Sequence, residues 1–177
     1  MASPVGHLMV GFASAAVAAR VVGEPSSPQL WFGAFVAVGL PDLDLALMAV
    51  GLRGPHIHRN ASHSLLVIAV LVLAAWFALP QLPIAIPDTL LWVWTAALVS
   101  HPFVDVITCG PVAAGDGYGI ALLWPLSRKR WSMERPVLET ADFGACRSVR
   151  DVWVGVLPEI VRLGPASAIV LALALLI

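Results

Sequence analysis

The stretch "PHIHRNASHSLLVIAVLV", residues 55–72, sets three histidines and an arginine against a long apolar run. No charged residue interrupts residues 64–86. A membrane-crossing helix needs about 20 predominantly apolar residues, so this run reads as a span. The imidazoles at its mouth raise a second question. The chain has 5 histidines. Besides His56, His58 and His63 there are His7 and His101, which also stand against apolar segments.

Composition supports the bilayer as solvent. Of 177 residues, 59% are hydrophobic and 12% charged, against roughly 45–50% and about 25% in soluble domains. The length suits a single membrane domain over residues 1–177. A net charge of −1 gives no reason to expect a nucleic-acid partner. Cys109 and Cys146 form no CxxC, so neither a disulfide framework nor a thiolate zinc site is expected. No basic region precedes the first apolar run, which argues against a secretory signal peptide.

Working outward, three further stretches have span character: residues 5–22, residues 30–52 with "GLPDLD" inside, and residues 89–108. Residues 165–177 are apolar but too short, at about 1.5 Å per residue, to cross a ~30 Å core alone. Either they extend back through residues 152–164 as a fifth span, or residues 149–163 lie in the interface as an amphipathic helix. The expected fold class is therefore an all-α integral membrane bundle of about four or five spans. Gly39 and Pro41 are expected to break its second helix.

Loop cations orient the bundle. Arg53 and Arg59 separate the second and third spans. Arg128, Lys129, Arg130, Arg135, Arg147 and Arg150 follow the fourth, and "PQLPIAIPD" between the third and fourth has no cation. These outnumber Arg20 on the first loop. The expectation is a multi-pass protein of the cell (inner) membrane, with residues 53–63 and the loop of about 110–150 on the cytoplasmic side. His7, Asp42, Asp44, His58, His63, His101 and Asp105 then fall at the same face, delivered by four segments.

Charged groups within spans cost about 2.5–3.5 kcal/mol each on insertion scales and usually mark function. A divalent cation offsets that cost. Imidazole nitrogen with carboxylate oxygen suits zinc, with manganese or iron as alternatives. "HPFVD" (101–105) places His101 and Asp105 at i, i+4 on one helical face. Asp42 and Asp44 would diverge by about 200° in a regular helix, so a broken turn is needed to aim both inward. Ser62 and Ser64 are candidate hydrogen-bond partners of the ligands, and Arg59 is a forked donor suited to phosphate. Taken singly, each feature has a plainer reading. One histidine at a helix end is an interface residue, PDLD is a capping turn, and Arg59 is a topology anchor. Trp31, Trp92 and Trp94 read as belt or lipid-facing residues, and "LLWPLSRKR" as a basic patch meeting anionic lipid. The joint pattern in a chain so poor in charge favours a metal site.

The order His7, "LPDLD", "HRNASHS", "HPFVDVIT" and "LLWPLSRKR" resembles the bacterial and archaeal family of LexA-regulated, membrane-bound metal-dependent hydrolases, from the N-terminus to about Arg130. Asn60 stands where that family shows Gly, and Ala61-Ser62 where Thr is common. A more distant similarity is to zinc-dependent phospholipases C, which share an early His, PDxD, a further His and HxxxDxxT. That resemblance implies His7, Asp42, His101 and Asp105 as metal ligands, with His63 or His58 completing the set. The phospholipases carry further histidines after HxxxD, and this chain has none after His101, so one or two ions are expected rather than three. The resemblance implies hydrolysis; the chemistry of the residues themselves then casts Asp44 as bridging ligand or general base and Arg59 as the group that stabilises developing phosphate charge. A site at headgroup depth suits a lipid or lipid-linked phosphoester. The rival expectations are a metal or proton transporter, and a non-catalytic membrane protein stapled by a structural metal.

Overall fold

Serines set the starts of four helices in the computed structural model, which describes residues 2–43, 60–81, 83, 86–109, 119–137 and 148–176. Ser3 caps α1 (Pro4–Val22), its hydroxyl accepting from the Gly6 N–H with Pro4 at the first position, where its missing donor costs nothing. Ser27 caps α2 (Pro28–Gly39) in the same way. Ser64 caps α3 (Leu65–Ala78). Ser148 and Asp151 exchange side-chain-to-backbone hydrogen bonds at the start of α5 (Val149–Leu176), a reciprocal capping box. α4 (Asp88–Thr108) follows Pro87 without a side-chain cap. α1 stops at Gly23, whose φ of 72° is left-handed, a conformation glycine adopts without penalty.

The described elements are helical, as composition predicts, and three of them, α1, α4 and α5, are long and apolar enough to cross a membrane. The second apolar stretch is broken where expected. α2 ends at Gly39 and passes into a 3-10 turn, Leu40–Leu43. Its 12 residues extend only about 18 Å. α3 is 14 residues long and continues into the 3-10 turn Leu79–Gln81.

The ambiguous C-terminal segment is one helix of 28 residues, about 42 Å long. It runs beside α1 and parallel to it, with Glu159 at Ser3 and Gly164 facing Met9. Of the two alternatives left by the sequence, the continuous helix is the one found.

α1 packs chiefly on α4 and α5, and α4 also holds α2 and α3. The core between them is built from Ala15, Ala19, Leu30, Ala34, Ile68, Val93 and Ala97. Lipid tails are as apolar as leucine, so helices in a bilayer associate through close packing rather than hydrophobic gain. The small residues serve that packing: a side chain on Gly33 would overlap the Trp94 indole, and one on Gly11 would strike Val38. Trp94 accordingly differs from its lipid-facing reading. It lies between α2 and α4, and its indole N–H donates to the Leu30 carbonyl at 3.1 Å. Trp92 is 55% exposed and does face outward.

Residues 119–137, which follow α4 in the chain, fold back onto the helix ends. Ile120 pairs with Trp131 in a short antiparallel bridge. The Leu65 N–H donates to the Leu122 carbonyl, and the Ser64 hydroxyl to the Trp124 carbonyl at 2.6 Å. Met133 and Val137 donate backbone N–H groups to the carbonyls of Val106 and Ile107. Arg130, read from sequence as part of a lipid-facing patch, is engaged internally: its guanidinium donates to Asn60 Oδ1 and the Gly119 carbonyl, each at 2.9 Å.

Candidate metal centre

His7 enters from the first turn and a half of α1, Asp42 from the 3-10 turn after α2, His63 from the residue before the cap of α3, and His101 and Asp105 from the last two turns of α4. The i, i+4 spacing in α4 puts His101 Nε2 and Asp105 Oδ2 3.6 Å apart. His63 Nε2 lies 3.2 Å from Asp105 Oδ2 and 3.7 Å from Asp42 Oδ1. His101 Nε2 lies 3.5 Å from Asp42 Oδ1. The other oxygen of Asp105, Oδ1, lies 3.2 Å from His7 Nε2. Five of the seven residues that the sequence set at one face, His7, Asp42, His63, His101 and Asp105, lie together.

The distances match the chemistry of the donor set. Zinc bonds nitrogen and carboxylate oxygen at about 2.0–2.2 Å, so ligand atoms on a tetrahedron around it lie roughly 3.3–3.6 Å apart. The observed separations of 3.2 to 3.7 Å bracket that range. Two overlapping trios satisfy the ligand geometry: Asp42, His63 and His101, and His7, His101 and Asp105. Asp105 turns one oxygen toward His7 and the other toward His63 and His101.

Burial strengthens the case. His63, His101 and Asp105 are 0% exposed and His7 2%; Asp42, at 22%, is the partly open member. Among the described residues, both His7 ring nitrogens, Asp42 Oδ1, His101 Nε2 and both Asp105 oxygens make no hydrogen bond although they are buried. A buried polar atom without a partner costs about 1–3 kcal/mol, and a cluster of them needs an explanation. An ion held there would satisfy Asp42 Oδ1, His101 Nε2, one His7 nitrogen and the Asp105 oxygen that faces it, so the residues present fit one.

The surroundings orient the rings. His101 Nδ1 is 2.7 Å from the Val38 carbonyl. A carbonyl only accepts, so Nδ1 carries the proton, which leaves Nε2 as the atom that would bind an ion. Such a backbone partner fixes the tautomer of ligating histidines. His63 Nδ1 pairs with the Ser62 hydroxyl at 2.8 Å, as the sequence suggested for Ser62. Ser64 differs: it caps α3 and ties down the 119–137 region instead of supporting a ligand. The rings of His7 and His101 stack at 3.7 Å with a 3° interplanar angle, which holds His7 in place.

Sequence reasoning missed three supports. The Val38 carbonyl carries no side-chain signal. The Thr108 hydroxyl accepts from the Ala2 N–H at 2.9 Å and donates to the Val104 carbonyl; the HxxxDxxT spacing contained it, without revealing that partner. Glu159 is 1% exposed and receives the Ser3 N–H at 2.7 Å and the Ser3 hydroxyl. A carboxylate within a mostly apolar segment was the available clue. Asp44, His56, His58 and Arg59, also singled out from sequence, lie outside the described residues.

A family model described as YdjM inner membrane protein matches residues 1–177. The inner membrane protein YbcI of Escherichia coli (strain K12) is 27% identical over 129 residues, which cover 68% of this chain and 67% of YbcI. No solved structure matches the chain.

Proposed function

Since the chain belongs to the YdjM inner membrane protein family, its polar centre works within a bilayer, and we propose that it is a metal-dependent phosphoesterase acting on a lipid or lipid-linked substrate. The observation that carries this reading is the set of buried donor atoms from His7, Asp42, His63, His101 and Asp105, spaced 3.2 to 3.7 Å apart. The order of its motifs, which resembles that of membrane-bound metal-dependent hydrolases and zinc-dependent phospholipases C, supplies the reaction class.

The resident ion would be zinc, as one ion or a pair. When bound, it supplies a Lewis acid for the phosphoryl oxygen and lowers the pKa of its water toward about 7. The chain's own residues do the rest. His63 and His101 hold their rings through Ser62 and Val38. Asp105 balances charge and links the two halves of the cluster. Asp42, the open member, marks where substrate arrives. Asp44 is assigned as a bridging ligand or as the base that takes the proton from the attacking water, and Arg59 as the donor to the phosphate oxygens that gain charge.

The cations of residues 128–150 put this face on the cytoplasmic side. A transporter would need polar groups continuing from the centre across the bundle. The buried polar residues among those described lie at the end of the bundle that carries the centre, and the core beyond His101 is alanine, valine, leucine and isoleucine, which counts against a transporter.

The test is hydrolysis of a panel of phospholipids and lipid phosphates by detergent-purified protein, with metal content determined in parallel. Turnover that disappears with chelation and returns with zinc is expected. A fully metallated protein that cleaves nothing on the panel would remove the main support for this reading.

A further inference from the structure

A cleft of about 390 Å³ opens between α1 and α2. Its polar end is formed by His7 and Asp42, and the rest of its lining includes Leu8, Phe35, Val36 and Leu43. That volume lies within the roughly 300–1,000 Å³ typical of small-molecule sites, which are mostly apolar with a few convergent polar groups. Phe35 is 52% exposed and Leu43 61%, so the apolar wall lies on the outer surface of the bundle. In a bilayer that surface meets hydrocarbon. A groove of about 380 Å³ on the other side of α2, between α2, α3 and α4, contains no histidine or carboxylate. Only the first of these two reaches the donor cluster.

We propose that the α1–α2 cleft holds a hydrocarbon chain of the substrate, so that a phospholipid enters the centre sideways from the membrane with its phosphate beside His7 and Asp42. This rests on the phosphoesterase reading and adds to it the substrate class, a chain-bearing phospholipid, and the route. The occupant follows from the two ends of the cleft. The open end faces lipid tails, and the closed end faces groups suited to an anionic phosphoester. α2 ends at Gly39, and the irregular turn Leu40–Leu43 brings Asp42 to the edge of that apolar wall. A chain leaving the bilayer for this cleft gains no hydrophobic energy, because both environments are apolar. The cleft therefore aligns the phosphate more than it strengthens binding, and blocking it should lower kcat for long-chain lipid more than it raises KM.

Gly39 provides the lever. It lines the cleft, and a Cβ added there meets nothing within 4 Å. Gly39→Phe therefore fills the space without a backbone clash, and Gly39→Ala is its control. The experiment uses full-length protein in phosphatidylcholine vesicles containing a phosphatidic acid with a diazirine in its acyl chain. Crosslinked residues are mapped by mass spectrometry, a readout that needs no turnover. Crosslinks concentrated on Leu8, Phe35 and Leu43 are expected. Dioleoyl phosphatidic acid should displace them, and Gly39→Phe, which fills the cleft, but not Gly39→Ala should lower them severalfold. Crosslinks spread evenly over outward residues such as Val70 and Phe77, and indifferent to Gly39→Phe, would overturn the proposal. Hydrolysis of dioleoyl phosphatidic acid and of chain-free p-nitrophenyl phosphate is read on the same samples. Cleft labelling without hydrolysis of either sustains the binding site and counts against the phosphoesterase reading alone.

Discussion

Glu159 on α5 receives both the backbone N–H and the hydroxyl of Ser3, the residue that caps α1. The carboxylate is 1% exposed, and the His7 N–H bonds back to the Ser3 carbonyl at 3.1 Å. The long C-terminal helix thus pins the turn that delivers a proposed metal ligand.

That contact predicts a coupled loss. Glu159→Ala strands the buried Ser3 donors, at about 1–3 kcal/mol for each group left unsatisfied. Ser3→Ala removes the hydroxyl and one of the two bonds. Thermal unfolding in detergent of both single variants and the double variant should yield a coupling of about 1 kcal/mol or more, within the 0.5–3 kcal/mol seen for residues in direct contact. Strict additivity would mean that the hydroxyl–carboxylate bond contributes nothing. Metal retention should fall in Glu159→Ala as the start of α1 loosens.

Sidedness is open to a direct check. Cys109 is 1% exposed, so labelling of native protein reports on Cys146. An impermeant maleimide added to intact cells is expected to leave the protein unlabelled until the membrane is opened. Ready labelling from outside would put the loop of about 110–150, and the centre with it, on the opposite face.

The centre was legible in the sequence because membranes make polar residues conspicuous. Asp42, His101 and Asp105 stand in apolar runs where each is costly, and i, i+4 spacing fixes the relation of His101 to Asp105. The break after Gly39 could be read from Gly39 and Pro41. What pattern could not give was partnership across the chain. Glu159 meets Ser3 over a separation of 156 residues, and nothing local to residues 149–176 announces that pairing, so that segment could be read either as a span or as an interfacial helix. Trp94 was misread for a related reason. A tryptophan facing a glycine on a neighbouring helix has the same local sequence as one facing lipid.

Arg59 makes a sharper prediction about chemistry. It lies between His58 and His63 in sequence and has no lone pair to offer a metal. A phosphate oxygen at the centre would meet its forked donors. Lysine keeps the charge but not the bidentate fit, so Arg59→Lys is expected to keep full metal and lose on the order of 10²-fold in kcat, comparable to removing one preorganised donor. Steady-state kinetics beside metal analysis checks this. A variant as fast as the parent would make Arg59 a topology anchor and no more.

His7, Asp42, His63, His101 and Asp105 are proposed to hold a divalent ion. The most direct measurement is metal content per chain by plasma mass spectrometry, on protein purified without chelators, in the parent and in Asp42→Asn and His101→Ala. The parent is expected to hold about one or two zinc ions per chain, and both variants to lose most of that metal while the helical circular dichroism is retained. A parent that holds no stoichiometric divalent metal even after incubation with zinc, or variants that hold as much as the parent, would contradict the proposal.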